Sequence, residues 1–142
     1  MADTAQLNAL EKLCVAIGQA SAGVLQWQWD SRFGAAQAVF TAADAARVSA
    51  ALAPSLPLHW DGASIATAPA TVRGQVDQLG GLDHDQQLFA CDPVDGARLF
   101  AAWWPWRNGT SVSLRIFALA VDDAPSRKDE LTALVRKCFG VG

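Results

Sequence analysis

Between Gln87 and Leu119 the chain reads as three apolar runs, Gln87 to Asp92, Arg98 to Trp106 and Val112 to Leu119, separated by Asp95-Gly96 and Asn108-Gly109. Asp-Gly and Asn-Gly between apolar runs favour tight hairpins, because these residues tolerate the positive φ such turns need. The pattern predicts a three-stranded antiparallel meander whose register follows from its turns. With Asn108-Gly109 as the loop, Arg107 opposes Thr110, and the pairs continue as Trp104 with Ser113, Trp103 with Leu114, Ala102 with Arg115 and Phe100 with Phe117. Counting likewise from Asp95-Gly96 pairs Asp92 with Leu99, Cys91 with Phe100, Ala90 with Ala101 and Leu88 with Trp103.

Opposed residues share a face of the sheet. One face is then expected to carry Leu88, Ala90, Leu99, Ala101, Trp103, Val112, Leu114, Ile116 and Ala118, an ordinary core face. The other carries Phe89, Cys91, Phe100, Ala102, Trp104, Trp106, Ser111, Ser113, Arg115 and Phe117. That is too aromatic for a sheet face left to water. Either another part of the chain lies over it, as in layered domains, or it meets a second copy, a partner or a ligand. Arg115 stands diagonal to Trp104 and is placed to stack on it.

Upstream, Leu7, Leu10, Leu13, Cys14 and Ile17 recur at helical spacing and predict a helix over about residues 4–20. Val24 to Trp29 alternates as a strand with Leu25, Trp27 and Trp29 inward, Asp30 to Gly34 is a turn, and Ala35 to Phe40 is a returning strand. Thr41-Ala42-Ala43-Asp44 resembles a capping box for a helix to about Leu52, which Pro54 and Pro57 end. In residues 55–86, read as an insertion or flap, Leu58 to Gly62 and Ala63 to Ala68 suggest a short hairpin. A helical turn from Thr71 to Leu79, stopped by Gly80-Gly81, follows. A last helix opens with Ser126 as N-cap, buries Leu131, Leu134, Val135 and Cys138 on one stripe, and ends at Gly140. The class expected is α+β: one domain over residues 1–142, with a single antiparallel sheet, a C-terminal three-stranded meander and flanking N- and C-terminal helices.

Composition narrows the function. The 142 residues are 51% hydrophobic and only 18% charged, below the roughly 25% typical of soluble domains, which disfavours disorder and favours association. Net charge is −3 with no basic stripe, so nucleic acid is not an expected partner. The N-terminus lacks the features of a signal peptide, and no run approaches the ~18 apolar residues of a membrane span. A cytoplasmic protein with no membrane partner is therefore expected. The alanine-rich composition points to a high-GC bacterial genome. Cys14, Cys91 and Cys138 are odd in number and widely spaced, and each sits in an apolar pattern as a buried thiol would.

Candidate chemistry is thin. The histidines, His59 and His84, sit beside acids in His59-Trp60-Asp61 and Asp83-His84-Asp85, but neither spacing is a metal-ligand motif, so no metal or cofactor is expected. Asp83-His84-Asp85 reads as a solvated turn. An enzyme would have to use His84 with Asp83, Asp85 or Cys91, and no nucleophile elbow, P-loop or dinucleotide fingerprint accompanies them. In element order alone the chain resembles small profilin-like or roadblock-type domains and the small acidic dimeric chaperones of bacterial secretion systems. No sequence motif stands behind that likeness, and residues 55–86 depart from the simpler versions.

The leading expectation is a non-catalytic protein-interaction domain, homodimeric or bound to another protein through Phe89, Phe100, Trp104, Trp106, Arg115 and Phe117. The alternative is a small-molecule binding domain with a Trp-lined pocket under residues 55–86, taking an apolar or aromatic ligand with His59, Trp60 and Arg115 as contacts.

Overall fold

The fold is that of a computed structural model, which describes residues 8–78, 80–83, 85–94, 96–121 and 125–141. Its elements in chain order are helix α1 (Asn8–Ala20), strands β1 (Gln28–Asp30) and β2 (Ala35–Thr41), a 3-10 turn (Ala42–Asp44) and helix α2 (Ala45–Leu52). There follow strand β3 (Leu58–Asp61), a 3-10 turn (Ile65–Thr67), helix α3 (Ala70–Gln78), strands β4 (Gln87–Ala90), β5 (Ala97–Pro105) and β6 (Ser111–Ala120), and helix α4 (Pro125–Phe139). All six strands form one antiparallel sheet in the order β1-β2-β6-β5-β4-β3. The α+β class read from the sequence is the class observed. Among the described residues no helix is long and apolar enough to cross a membrane.

The β5–β6 register is the one expected from Asn108-Gly109: Trp104 pairs with Ser113, Trp103 with Leu114 and Phe100 with Phe117. Trp106 and Ser111 close the loop, the Trp106 carbonyl accepts from the Gly109 amide at 3.1 Å, and Gly109 takes φ +72°. A side chain there would be strained.

The β4–β5 register differs, and the difference turns β4 over. Val94 pairs with Ala97 next to the turn, yet Ala90 pairs with Phe100. Four steps back on one strand therefore match three on the other, which is a β-bulge between Cys91 and Val94. Pro93 falls inside it and has no amide to give the ladder. Leu99 N–H donates to Cys91 Sγ (3.3 Å) and Arg98 Nη1 to the Cys91 carbonyl (3.0 Å), so side chains satisfy groups the ladder misses. A one-residue slip exchanges the faces. Phe89 and Cys91, expected on the aromatic face, instead pack with Leu99, Ala101 and Trp103, while Leu88 and Ala90 join Phe100, Ala102 and Phe117.

Three helices cover the first face. Leu10 and Ile17 of α1, Val48 and Leu52 of α2, and Leu131 and Val135 of α4 pack against Trp103, Leu114 and Ile116. Terminal helices over Trp103 and Leu114 are what the hydrophobic stripes predict. Thr41, expected to cap α2, is still in β2 with extended backbone and makes no side-chain cap bond. The Ala42 amide goes instead to the Thr110 carbonyl at 2.8 Å, which prolongs the ladder. Leu25 is buried and Trp27 and Trp29 are partly so, as expected, but only residues from Gln28 onward pair as strand. Helix α4 begins at Pro125, one residue before its expected cap.

The segment 55–86 supplies the second layer. β3 pairs with β4, not with Ala63 to Ala68. Asp61 Oδ1 accepts from the amides of Ala63 (3.0 Å) and Ser64 (2.9 Å), curling the chain into a 3-10 turn where a hairpin was expected. Val72 and Val76 of α3 then pack on Phe100 and Phe117. Gly80 ends α3 with φ +94°, and the Gly81 amide reaches the Val76 carbonyl at 3.0 Å. This closure is available to glycine at almost no steric cost. With helices on both sides of it, β5 is buried continuously from Ala97 to Trp103.

Candidate functional site

Because α3 is short, it covers only one end of the aromatic face. Phe100 and Phe117 lie under it, 1% and 6% exposed, their rings stacked at 5.4 Å. They belong to the intramolecular core, and with Phe89 this removes three of the six residues expected at a contact. Trp104, Trp106 and Arg115 remain outside α3.

The uncovered end is built from three strands and one turn. In β2, Gln37 pairs with Arg115 and Val39 with Ser113, so these side chains share the face of Trp104. Trp106 is 46% exposed, Val39 41% and Phe33, from the β1–β2 turn, 42%. Among the described residues these are three of four exposed large hydrophobic side chains, the fourth being Val15 on α1. Val39 and Trp106 flank Ser113, and Phe33 reaches across to Trp104 and Arg115, so exposed apolar side chains are concentrated on this part of the face.

Arg115 organises this surface. Its guanidinium carbon lies 4.6 Å from the centroid of Phe33 and 4.9 Å from that of Trp104, and its Nε donates to Asp30 Oδ2 at 3.0 Å. The stack on Trp104 is the one the diagonal register predicts. Phe33 was read only as part of a turn, and nothing local distinguishes it from a solvated turn residue. Trp106 Nε1 donates to Ser113 Oγ at 2.8 Å, which ties the indole to β6. The Trp104 Nε1 is buried and finds no acceptor among the described residues.

Burial pushes the Asp30 carboxyl up. Hydrogen bonds from Arg115 and the Arg32 amide, the charge of Arg115 and the Phe33 amide together outweigh it and hold the group below the ordinary carboxylate range. A depressed carboxylate contributes stability that is present above its unfolded value, about 3.9, and is lost as pH falls through the folded one. Between about pH 5 and pH 3 the wild type is therefore expected to lose more stability than Asp30→Asn, as read by urea melts at each pH.

The other expected ligand contacts do not converge. His59 and Trp60 are consecutive in β3 and point to opposite faces. His59 packs at a tilt on Phe89, ring centroids 4.7 Å apart, and its Nε2 donates to Gln87 Oε1 at 2.6 Å, on the helix-covered side. Trp60 packs with the aromatic cluster under 55–86, but at the β3 edge, with β4 and β5 between it and Arg115. Instead, a cleft of about 420 Å³ opens on the other side of α3. Phe33, Phe117 and Leu119 line it together with Gln75 and Gln78 of α3, Arg32 and Lys128. The buried Oε1 of Gln75 accepts no hydrogen bond from any described residue.

His84 and Asp95 lie outside the described residues. Among the described residues no three His, Cys, Asp or Glu side chains come together as metal ligands would. Comparison of the chain with protein-family models, curated proteins and solved structures finds no match, so the likeness in element order to profilin-like, roadblock-type and secretion-chaperone domains gains no support.

Proposed function

We propose that this chain is a non-catalytic, cytosolic protein-interaction domain that pairs with a second copy of itself through the uncovered end of the aromatic face. The observation that carries the reading is the clustering of Phe33, Val39 and Trp106 around the Arg115 stack. An isologous contact requires a patch that complements itself. This patch suits that need because Arg115, which stacks on both Phe33 and Trp104, is already paired with Asp30, so this part of it asks for an apolar partner and not an opposite charge. Rigid aromatics beside an arginine are also the side chains that dominate binding energy at protein contacts.

Light scattering on a sizing column across a dilution series tests the reading. A mass near twice 15.0 kDa that persists on dilution is expected, and a monomer at every concentration would overturn it.

The cleft beside α3 favours a second reading, a small-molecule binding domain. Its volume lies within the ~300–1,000 Å³ of such sites. An aromatic floor with Arg32 and Lys128 suits an apolar or aromatic molecule bearing an anionic group. With 2-naphthoate as probe, this reading expects a rise in Tm that Arg32→Glu abolishes; an unchanged Tm in the wild type would count against it.

A further inference from the structure

On the helix-covered side of the molecule, far in sequence but adjacent in space, two thiols meet. Cys14 lies midway along α1 and Cys138 in the last turn of α4, and Cys138 packs against the buried cluster that holds Cys14. The helices are held in close contact around them. A Cβ placed on Gly18 would stand 3.6 Å from the Cys138 carbonyl, in ordinary van der Waals contact, so this stripe of α1 lies directly against the end of α4. Lys137 pairs with Glu11 at 3.3 Å on one flank, and Phe139 packs on Trp27 with ring centroids 4.5 Å apart on the other.

The two thiols differ in access. Cys14 is completely buried. Cys138 is half-buried and lines an open groove of about 270 Å³ with Val15, Ala22, Trp27 and Phe139, roomy enough for a molecule of a few atoms. Cys138 thus borders solvent, while Cys14 lies in the core against which it packs. This is the arrangement of a reacting thiol with a resolving partner.

We propose that Cys14 and Cys138 form a reversible oxidation site that a small hydroperoxide converts to an intramolecular disulfide joining α1 to α4. The Cys138 thiolate attacks the peroxide, breaks the O–O bond and becomes a sulfenic acid, with hydroxide leaving and taking up a proton as water. The Cys14 sulfur then loses its proton, attacks the Cys138 sulfur and expels the hydroxyl group as a second water. Two thiols are oxidised and one hydrogen peroxide is reduced to two waters. The order of the steps follows from ionisation as well as access: the neighbouring Cys14 thiol stabilises the Cys138 thiolate against the cost of its burial and the nearby Glu11, and Lys137 adds to it, drawing this thiol below its ordinary range. The same pairing, with burial, pushes the Cys14 thiol up and keeps it protonated until it attacks the Cys138 sulfenic acid. Cys91 is buried on β4's continuation against Leu99, with burial raising its thiol, and it takes no part.

The site lies on the face opposite the proposed self-association patch, so the two inferences fail separately. The test is titration of the purified full chain with hydrogen peroxide, followed by tryptic mapping without reduction. The expected result is loss of two free thiols, a Cys14–Cys138 linked peptide, a mass lower by two hydrogens, and full reversal by dithiothreitol. The bridge closes a loop of nearly the whole chain and should raise Tm, with the light-scattering mass unchanged. Cys138→Ser should slow peroxide consumption by about tenfold or more, because the accessible thiolate is gone. Cys14→Ala should leave a Cys138 sulfenic acid that dimedone traps. Oxidation of wild type that begins at Cys91, links separate chains, or ends at Cys138 sulfinic acid without the Cys14 link would overturn the proposal, whatever the folding of the variants.

Discussion

Phe100→Ala is expected to cost about 3–5 kcal/mol and lower Tm by roughly 10–20 °C. Phe100 is 1% exposed, stacked on Phe117 and closed over by Val72 and Val76 of α3. Truncation leaves a cavity between a rigid sheet and a short helix that has little freedom to collapse into it, so both the lost transfer free energy and the cavity term apply. A domain of this size has only about 5–15 kcal/mol of stability in total, so the variant should sit near the limit of folding. Guanidinium melts of the two proteins measure the difference. A change under about 1 kcal/mol would mean that α3 does not seal this end of the face, and that Phe100 and Phe117 are available to a partner after all.

The second large effect concerns the other end of the same face. Glutamate at both Val39 and Trp106 is expected to convert a dimer of about twice 15.0 kDa to a monomer while leaving the far-ultraviolet circular dichroism unchanged. Both side chains are more than 40% exposed, so the folded monomer tolerates a carboxylate at either position. In a two-fold contact each substitution occurs twice, and a carboxylate buried opposite an apolar or like-charged surface costs several kcal/mol, a loss of affinity on the order of a hundredfold or more. Analytical ultracentrifugation across a concentration series reads the shift directly. A variant that stays dimeric would place the contact elsewhere, and one that unfolds would show that these side chains are held within the chain's own core. The two experiments divide the aromatic face into a structural half and a contact half, which predict opposite phenotypes: lost stability at Phe100, lost association at Trp106.

Much of this face was legible before any coordinates. The Asn108-Gly109 turn sets the β5–β6 register, and register alone places Trp103 and Leu114 inward and sets Arg115 diagonal to Trp104. The stripe of Leu131, Leu134 and Val135 on α4 was likewise evident, because helical periodicity is a local property. Phe89 was misplaced for an equally local reason that the pattern conceals. A bulge adds one residue without changing the alternation on either side, so only the ladder, with Val94 on Ala97 but Ala90 on Phe100, exposes it. Pro93 was the available signal, since a proline beside a hairpin marks a place where pairing breaks.

The sequence by itself determined the α+β class, the meander, the helical stripes and the existence of an aromatic face needing cover, because each follows from periodicities of two or 3.6 residues and from turn chemistry within a few positions. Only the tertiary structure decided how that face is shared between α3 and the surface, that Phe33 closes over Arg115, that His59 and Trp60 part to opposite sides, and that Cys14 meets Cys138. Those outcomes depend on which distant segments pack together, and packing is selected by the shape and volume of whole layers, a quantity no local pattern carries.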